Sequence, residues 1–140
     1  MTQPQHYRIQ PAWRILLKDV GIRPANVLRR ASLPGDLFAR DKANVTTEEY
    51  FRLWEAVVQE SGDPGMPLKM ASAISVEAFD APVFAALCSP DLNTALHRIA
   101  TYKRLVCPMR LHVDVGRAET RLGFEWLDAP GPPPPSLMAM

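Results

Sequence analysis

Residues 92–126 read LNTALHRIATYKRLVCPMRLHVDVGRAETRLGFEW, and the spacing of their apolar side chains changes at Pro108. From Leu92 to about Val106, apolar residues recur every three or four positions, which predicts a long helix with one apolar stripe. The stripe consists of Leu92, Ala95, Leu96, Ile99 and Val106. From Met109 to Trp126, apolar residues alternate with polar ones around a short turn, which predicts an antiparallel hairpin with one buried face. A lone hairpin is marginal in water, so we expect it to pack against the helix.

The preceding residues predict shorter helices. Thr46 and Glu49 form a capping-box pattern at the start of a helix that continues to about Gly62. Pro24 suits the first turn of another helix, and Gly21 is a natural stop for the one before it. The predicted fold class is therefore α+β, mainly short helices with a C-terminal antiparallel β-hairpin packed on a long helix.

Composition indicates one small globular domain. The chain has 140 residues, 47% of them hydrophobic, and a formal net charge of +1. That near-balance disfavours a nucleic-acid-binding domain, which normally carries a clear basic excess. The N-terminus lacks a secretory signal and no apolar run is long enough to cross a bilayer, so we predict a cytoplasmic protein with no membrane association. Cys88 and Cys107 have apolar neighbours and are predicted to be buried free thiols.

The last residues differ in character from the rest. Residues 129–135 are rich in proline and predict a stiff connector, and Ser136 with the apolar residues after it resembles the cap and first turn of a helix. We therefore divide the chain into a folded domain over residues 1–128 and, over 129–140, a proline-rich connector with the start of a truncated helix.

No catalytic or metal-binding motif stands out. The sequence has no Gly-rich phosphate loop, no Gly-x-Ser-x-Gly elbow and no His-Glu-x-x-His pattern. Ser89, Cys88 and His97 could be combined as a nucleophile and its base, but Ser89-Pro90-Asp91 is also an ordinary start for a helix. We predict a protein that is not an enzyme, with no catalytic residue, no metal and no cofactor.

Two groups of residues are candidates for ligand binding. His97, Thr101 and Arg104 share one polar stripe of the long helix and could form the rim of a pocket, although a solvent-facing stripe has the same spacing. Tyr50 and Trp54 lie one turn apart and could form its apolar wall, although core packing is the usual role of such a pair.

Residues 13–31 have the outline of a helix-turn-helix and are locally basic. A recognition helix reads bases with its N-terminal residues, and only Asn26 suits that role here. A solvated basic face is the alternative interpretation.

The order of several motifs resembles a known family. They are Trp13-x2-Leu16-Leu17-x3-Gly21, Val27-Leu28-x2-Ala31-x-Leu33-Pro34, Tyr50-Phe51-x-Leu53-Trp54 and Pro82-x3-Ala86-Leu87-Cys88-Ser89-Pro90-Asp91-Leu92-x2-Ala95-Leu96-x5-Tyr102-Lys103-x-Leu105-x2-Pro108. Together, over about residues 12–128, they resemble the N-terminal effector-sensing, arabinose-binding-like domain of AraC-type transcription regulators.

The resemblance implies that residues 1–128 sense an unknown small-molecule effector and often dimerise. It also implies that DNA is contacted only through C-terminal helix-turn-helix modules, which are absent from this sequence. A ligand-sensing regulatory domain is the leading hypothesis. The alternative is a non-catalytic dimerisation or partner-docking domain, with apolar residues of the early helices and of the tail 137–140 as its contact surface.

Overall fold

The structure is a computed structural model that describes residues 2–75 and 81–138. These residues form seven α-helices and two separate two-stranded antiparallel sheets, which confirms the α+β class. In chain order the elements are β1 (Tyr7–Ile9), α1 (Ala12–Asp19), α2 (Pro24–Arg30), a 3-10 turn (Leu37–Ala39), β2 (Ala43–Val45), α3 (Thr47–Ser61), α4 (Met66–Ala73), α5 (Ala81–Leu87), α6 (Leu92–Val106), β3 (Met109–Val115), β4 (Thr120–Trp126) and α7 (Pro135–Met138).

The elements up to α4 form a helical body around α3. The predicted capping box is confirmed: the Thr46 hydroxyl accepts the Glu49 N–H at 3.2 Å, and the Glu49 carboxylate accepts the Thr46 N–H at 2.8 Å. The helix ends at Gly62, whose φ of 64° is in the left-handed region that glycine adopts without strain. Trp54 is fully buried on the inner face of α3, and most of the core surrounds it.

The body also contains a small sheet that was not predicted from the sequence. Tyr7 pairs with Val45 and Ile9 with Ala43 in an antiparallel register. All four of these side chains are buried, while Arg8 and Asn44 between them point to solvent. The N-terminal segment is therefore part of the core.

The later elements form a second layer in which α6 packs against α5 and β3. The predicted bounds of the long helix and the hairpin are confirmed, and β3 pairs with β4 from Met109↔Trp126 to Val115↔Thr120. The apolar stripe of α6 is only partly covered. Leu92 is 74% exposed and Val106 41% exposed, because neighbours cover α6 only on part of its surface.

The two cysteines lie in different environments. Both are free thiols, and Cys107 is buried as predicted. The prediction that Cys88 is buried is wrong, since it lies exposed in the short connection between α5 and α6.

Long-range hydrogen bonds join the body to the second layer. The Tyr7 hydroxyl donates to the Pro108 carbonyl at 3.4 Å, and the buried Thr47 hydroxyl donates to the Leu127 carbonyl at 2.7 Å. The Gln3 amide nitrogen donates to the Met109 carbonyl at 3.2 Å. These bonds therefore hold one end of the hairpin, where β3 begins and β4 ends, against the body.

The C-terminal residues return to the body. The short helix α7 packs on α3 and α4, and Leu137 is buried in the core. The suggestion that the tail from Leu137 onward is exposed contact surface is therefore wrong for Leu137, while residues 139 and 140 lie outside the described residues. Among the described helices, none is both long and apolar enough to cross a membrane.

Candidate functional site

The predicted aromatic pair belongs to the core of the helical body. Trp54 makes edge contacts with Trp13, at 5.3 Å between ring centroids, and with Tyr50, at 6.2 Å. Tyr50 is stacked on Tyr7 with ring centroids 4.0 Å apart and planes within 2° of parallel. These contacts favour the core-packing interpretation of Tyr50 and Trp54, and their role in ligand binding stays a prediction.

Polar groups within this aromatic cluster are deeply buried. Burial raises the pKa of Tyr7 far above its ordinary value, and the nearby Cys107 and Tyr50 act in the same direction. Tyr7 is thus a neutral hydrogen-bond donor at every physiological pH. The indole N–H groups of Trp54 and Trp126 are buried without an acceptor among the described residues.

The predicted stripe of α6 lies at the surface. His97, Thr101 and Arg104 are all exposed. The Thr101 hydroxyl donates to the His97 carbonyl at 2.9 Å, so it is engaged within its own helix. Arg104 forms no ion pair in the part of the chain that the structure describes.

A cleft of about 680 Å³ lies beside the C-terminal end of α6. It is lined by Thr2, Gln3, Arg104, Leu105 and Arg110, so it joins the N-terminal segment, the last turn of α6 and the start of β3. We call this the arginine cleft. Arg104 is the one predicted ligand residue that it contains.

Hydrogen bonds hold the floor of the arginine cleft in place. The Gln3 amide nitrogen donates to the carbonyls of Cys107 and Met109, at 3.3 and 3.2 Å. The Gln3 amide oxygen accepts from Arg110 Nε at 3.4 Å, and Arg110 also lies 3.4 Å from a Glu125 carboxylate oxygen. Arg110 is thereby oriented by two partners, whereas the guanidinium of Arg104 is available to a ligand.

The chemical preference of the arginine cleft comes from Arg104, together with Arg110, which already pairs with Glu125 at 3.4 Å. Guanidinium groups bind carboxylate and phosphate through paired N–H donors. No carboxylate side chain is among the lining residues. The cleft is therefore suited to a small anionic molecule.

Gln3 and Arg110 are not among the ligand residues predicted from the sequence. Arg110 could have been found from the sequence, because it is the first residue on the polar face of the predicted strand β3 and lies six positions after Arg104. Gln3 could not have been found in this way, because nothing local indicates that the N-terminal segment runs back to the start of β3.

The helix-turn-helix outline of residues 13–31 is tied to the body. The Asn26 amide donates to Glu60 Oε1 at 2.6 Å, and Arg30 Nε donates to Glu60 Oε2 at 2.8 Å. The same two partners, with the amide contributing most, hold the pKa of Glu60 below its ordinary value. Asn26, the candidate base-reading residue, thus fastens α2 to α3.

Ser89, the candidate nucleophile, also has an ordinary structural role. The Ser89 hydroxyl lies 3.5 Å from the Ala85 carbonyl and accepts from Arg98 at 3.1 Å, while Asp91 caps α6 by accepting the Thr94 N–H at 2.8 Å. Among the described residues, no cluster of His, Cys, Asp or Glu could hold a metal ion.

Comparison with known families agrees with the fold and with the ordered motifs. The family model described as the arabinose-binding domain of AraC transcription regulators, N-terminal, matches residues 21–140. The chain belongs to this family of ligand-sensing regulatory domains, which are not catalytic. A search of curated protein sequences finds no match to the chain.

Proposed function

We propose that this chain is the effector-sensing part of an AraC-type transcription regulator and that its effector is a small organic anion bound in the arginine cleft. The observation that carries the proposal is the convergence of Arg104 and Arg110 on one cleft, in a family of ligand-sensing domains. His97 and Thr101, further along the same face of α6, remain candidates for contacts with a longer effector.

The position of the arginine cleft suggests how binding would be transmitted. Its walls come from the N-terminal segment, which is continuous with the helical body, and from α6 and β3 of the second layer. An anion that bridges these walls favours one arrangement of the body relative to the layer. An effector that binds one conformation more tightly shifts the population toward it, by no more than the difference in its two affinities.

DNA contacts would then lie in a separate C-terminal helix-turn-helix domain rather than in these residues. The net charge of +1 supports this division, as does the use of Asn26 and Arg30 to bind Glu60. We expect the protein to act in the cytoplasm, where such a regulator meets both its effector and DNA.

Thermal denaturation with matched neutral and acidic ligands tests the proposal. The screen includes pairs such as arabinose and arabinonate, together with amino acids, fatty acids and aromatic acids. An acid at a hundredfold excess over its dissociation constant stabilises the folded state by about 2.7 kcal/mol, which raises the melting temperature by about 8 °C. The neutral member of the pair should give a much smaller shift.

Arginine variants locate the site. Arg104→Gln and Arg110→Gln should each abolish most of the shift, because each removes a charged donor from the cleft. Arg14→Gln, on the exposed face of α1, is the matched control and should leave the shift unchanged. A shift that is equal for neutral and acidic ligands, or that survives both cleft substitutions, would contradict the proposed site.

A further inference from the structure

The outer edge of β4 is open. β4 pairs with β3 on one side, and within the described residues no strand lies on its other side. Seven residues, Thr120–Trp126, form this edge, and none of them is a proline or a lysine, the residues that commonly protect edge strands.

The hairpin's own hydrogen bonds show which backbone groups this edge presents. At one end the Gly116 N–H donates to the Glu119 carbonyl at 2.9 Å, and at the other the Leu127 N–H donates to the Pro108 carbonyl at 3.0 Å. Because hydrogen-bonded pairs alternate along an antiparallel ladder, the backbone groups of Leu122 and Phe124 face away from β3.

The same two residues carry the uncovered apolar surface of the layer. Leu122 is 44% exposed and Phe124 45% exposed, since α6 packs along β3 and leaves β4 largely uncovered. The opposite face of β4 carries Arg121 and Glu125, with Gly123 midway between them. The strand is therefore symmetric about Gly123 in both its apolar and its charged positions.

We propose that β4 pairs antiparallel with β4 of a second copy of this chain, across a two-fold axis at Gly123. This register places Leu122 opposite Phe124 of the second copy and Arg121 opposite Glu125 of the second copy. The outward N–H and C=O groups of Leu122 and Phe124 then form hydrogen-bonded pairs, and the two Gly123 residues form the close, non-hydrogen-bonded pair on the axis.

Gly123 suits that central position. A Cβ added there would meet only the Cβ of His112, at an ordinary contact distance of 3.6 Å, so a single chain does not need glycine at this site. On the axis, two glycines leave the centre of the charged face open between the Arg121–Glu125 pairs.

The outer edge of β3 does not offer an equivalent surface. The Gln3 amide nitrogen donates to the Met109 carbonyl on that edge. A two-fold axis at the middle of β3 would also bring two His112 side chains together on the charged face, each lying 3.1 Å from its own Glu125. The unobstructed edge is that of β4.

Disulfide trapping tests the register directly. In a Cys88→Ser background, Gly123→Cys places two thiols on the axis, where facing Cα atoms are about 4.5 Å apart, within disulfide range. Arg121→Cys is the matched control on the same face, because its Cα would be about 13 Å from its symmetry mate. We expect mild oxidation to cross-link most of the Gly123→Cys protein and little of the Arg121→Cys protein. Equal cross-linking of the two would overturn the proposal.

Sedimentation equilibrium on the full chain measures the dimer itself. Leu122→Pro removes one outward N–H without removing a bond to β3, and we expect it to raise the dimer dissociation constant at least tenfold. Leu122→Thr keeps that N–H and should dimerise more tightly than Leu122→Pro. A wild-type chain that stays monomeric at 200 μM, or a dimer unaffected by Leu122→Pro, would refute the proposal. If circular dichroism shows that Leu122→Pro fails to fold, the cysteine pair decides.

Discussion

Thr47→Val tests how much one buried hydroxyl contributes to holding the hairpin against the body. Thr47 is 1% exposed, and its hydroxyl donates to the Leu127 carbonyl at 2.7 Å. Valine keeps the shape but removes the donor, which leaves a carbonyl without its partner at a cost of about 1–3 kcal/mol. The methyl group that replaces the hydroxyl returns about 0.8 kcal/mol of apolar burial. We therefore expect a net loss of about 1 kcal/mol, the middle of a range from about 0.2 to 2 kcal/mol.

Urea denaturation followed by tryptophan fluorescence measures this loss. With an m value of about 2 kcal/mol/M, a loss of about 1 kcal/mol lowers the midpoint by about 0.5 M. Thr101→Val is the matched control, because its hydroxyl is exposed and bonds only within α6. We expect the control to change stability by less than about 0.5 kcal/mol. Equal effects of the two substitutions, or no effect of Thr47→Val, would refute a specific link between body and hairpin.

Two further predictions concern the ends of the body. Because its partners lower the pKa of Glu60, this carboxylate stabilises the fold above its ordinary pKa of 4.5, and the contribution disappears as the pH falls through the lower folded value. Glu60→Gln should thus flatten the dependence of the urea midpoint on pH below about 5, and an unchanged pH profile would contradict this. Leu137→Ala should cost about 2 kcal/mol and make the tail more sensitive to limited proteolysis, because Leu137 is buried against the body. A stability within 0.5 kcal/mol of wild type would show that α7 does not depend on this side chain.

Local signals in the sequence were sufficient for most elements. The capping box at Thr46, the proline at the start of α2 and the change of period at Pro108 each act within a few residues, and each predicted element is present. Burial was harder to predict, because a periodic stripe shows which face is apolar but not how much of it a neighbour covers. Leu92 and Val106 are exposed for this reason.

Features that depend on distant pairing could not be predicted in the same way. β1 and β2 have three residues each, too few for a period, and residue pairs such as Tyr7 and Val45 are far apart in the chain. The arginine cleft also depends on contacts between residues that are far apart in the chain. Arg104 was found from its helical spacing, whereas Gln3 reaches the site only because the first strand places the N-terminal segment beside β3.

The hydrogen bond from the Gln3 amide also affects whether copies of this protein form a closed dimer or an open-ended polymer. It occupies the Met109 carbonyl on the outer edge of β3, so the β3–β4 hairpin offers a second copy the edge of β4 and not that of β3. A chain trimmed of its first residues would expose two edges, and successive copies could then add without limit, as in a fibril. The hydrogen bond from Gln3 thus decides whether assembly stops at two copies or continues.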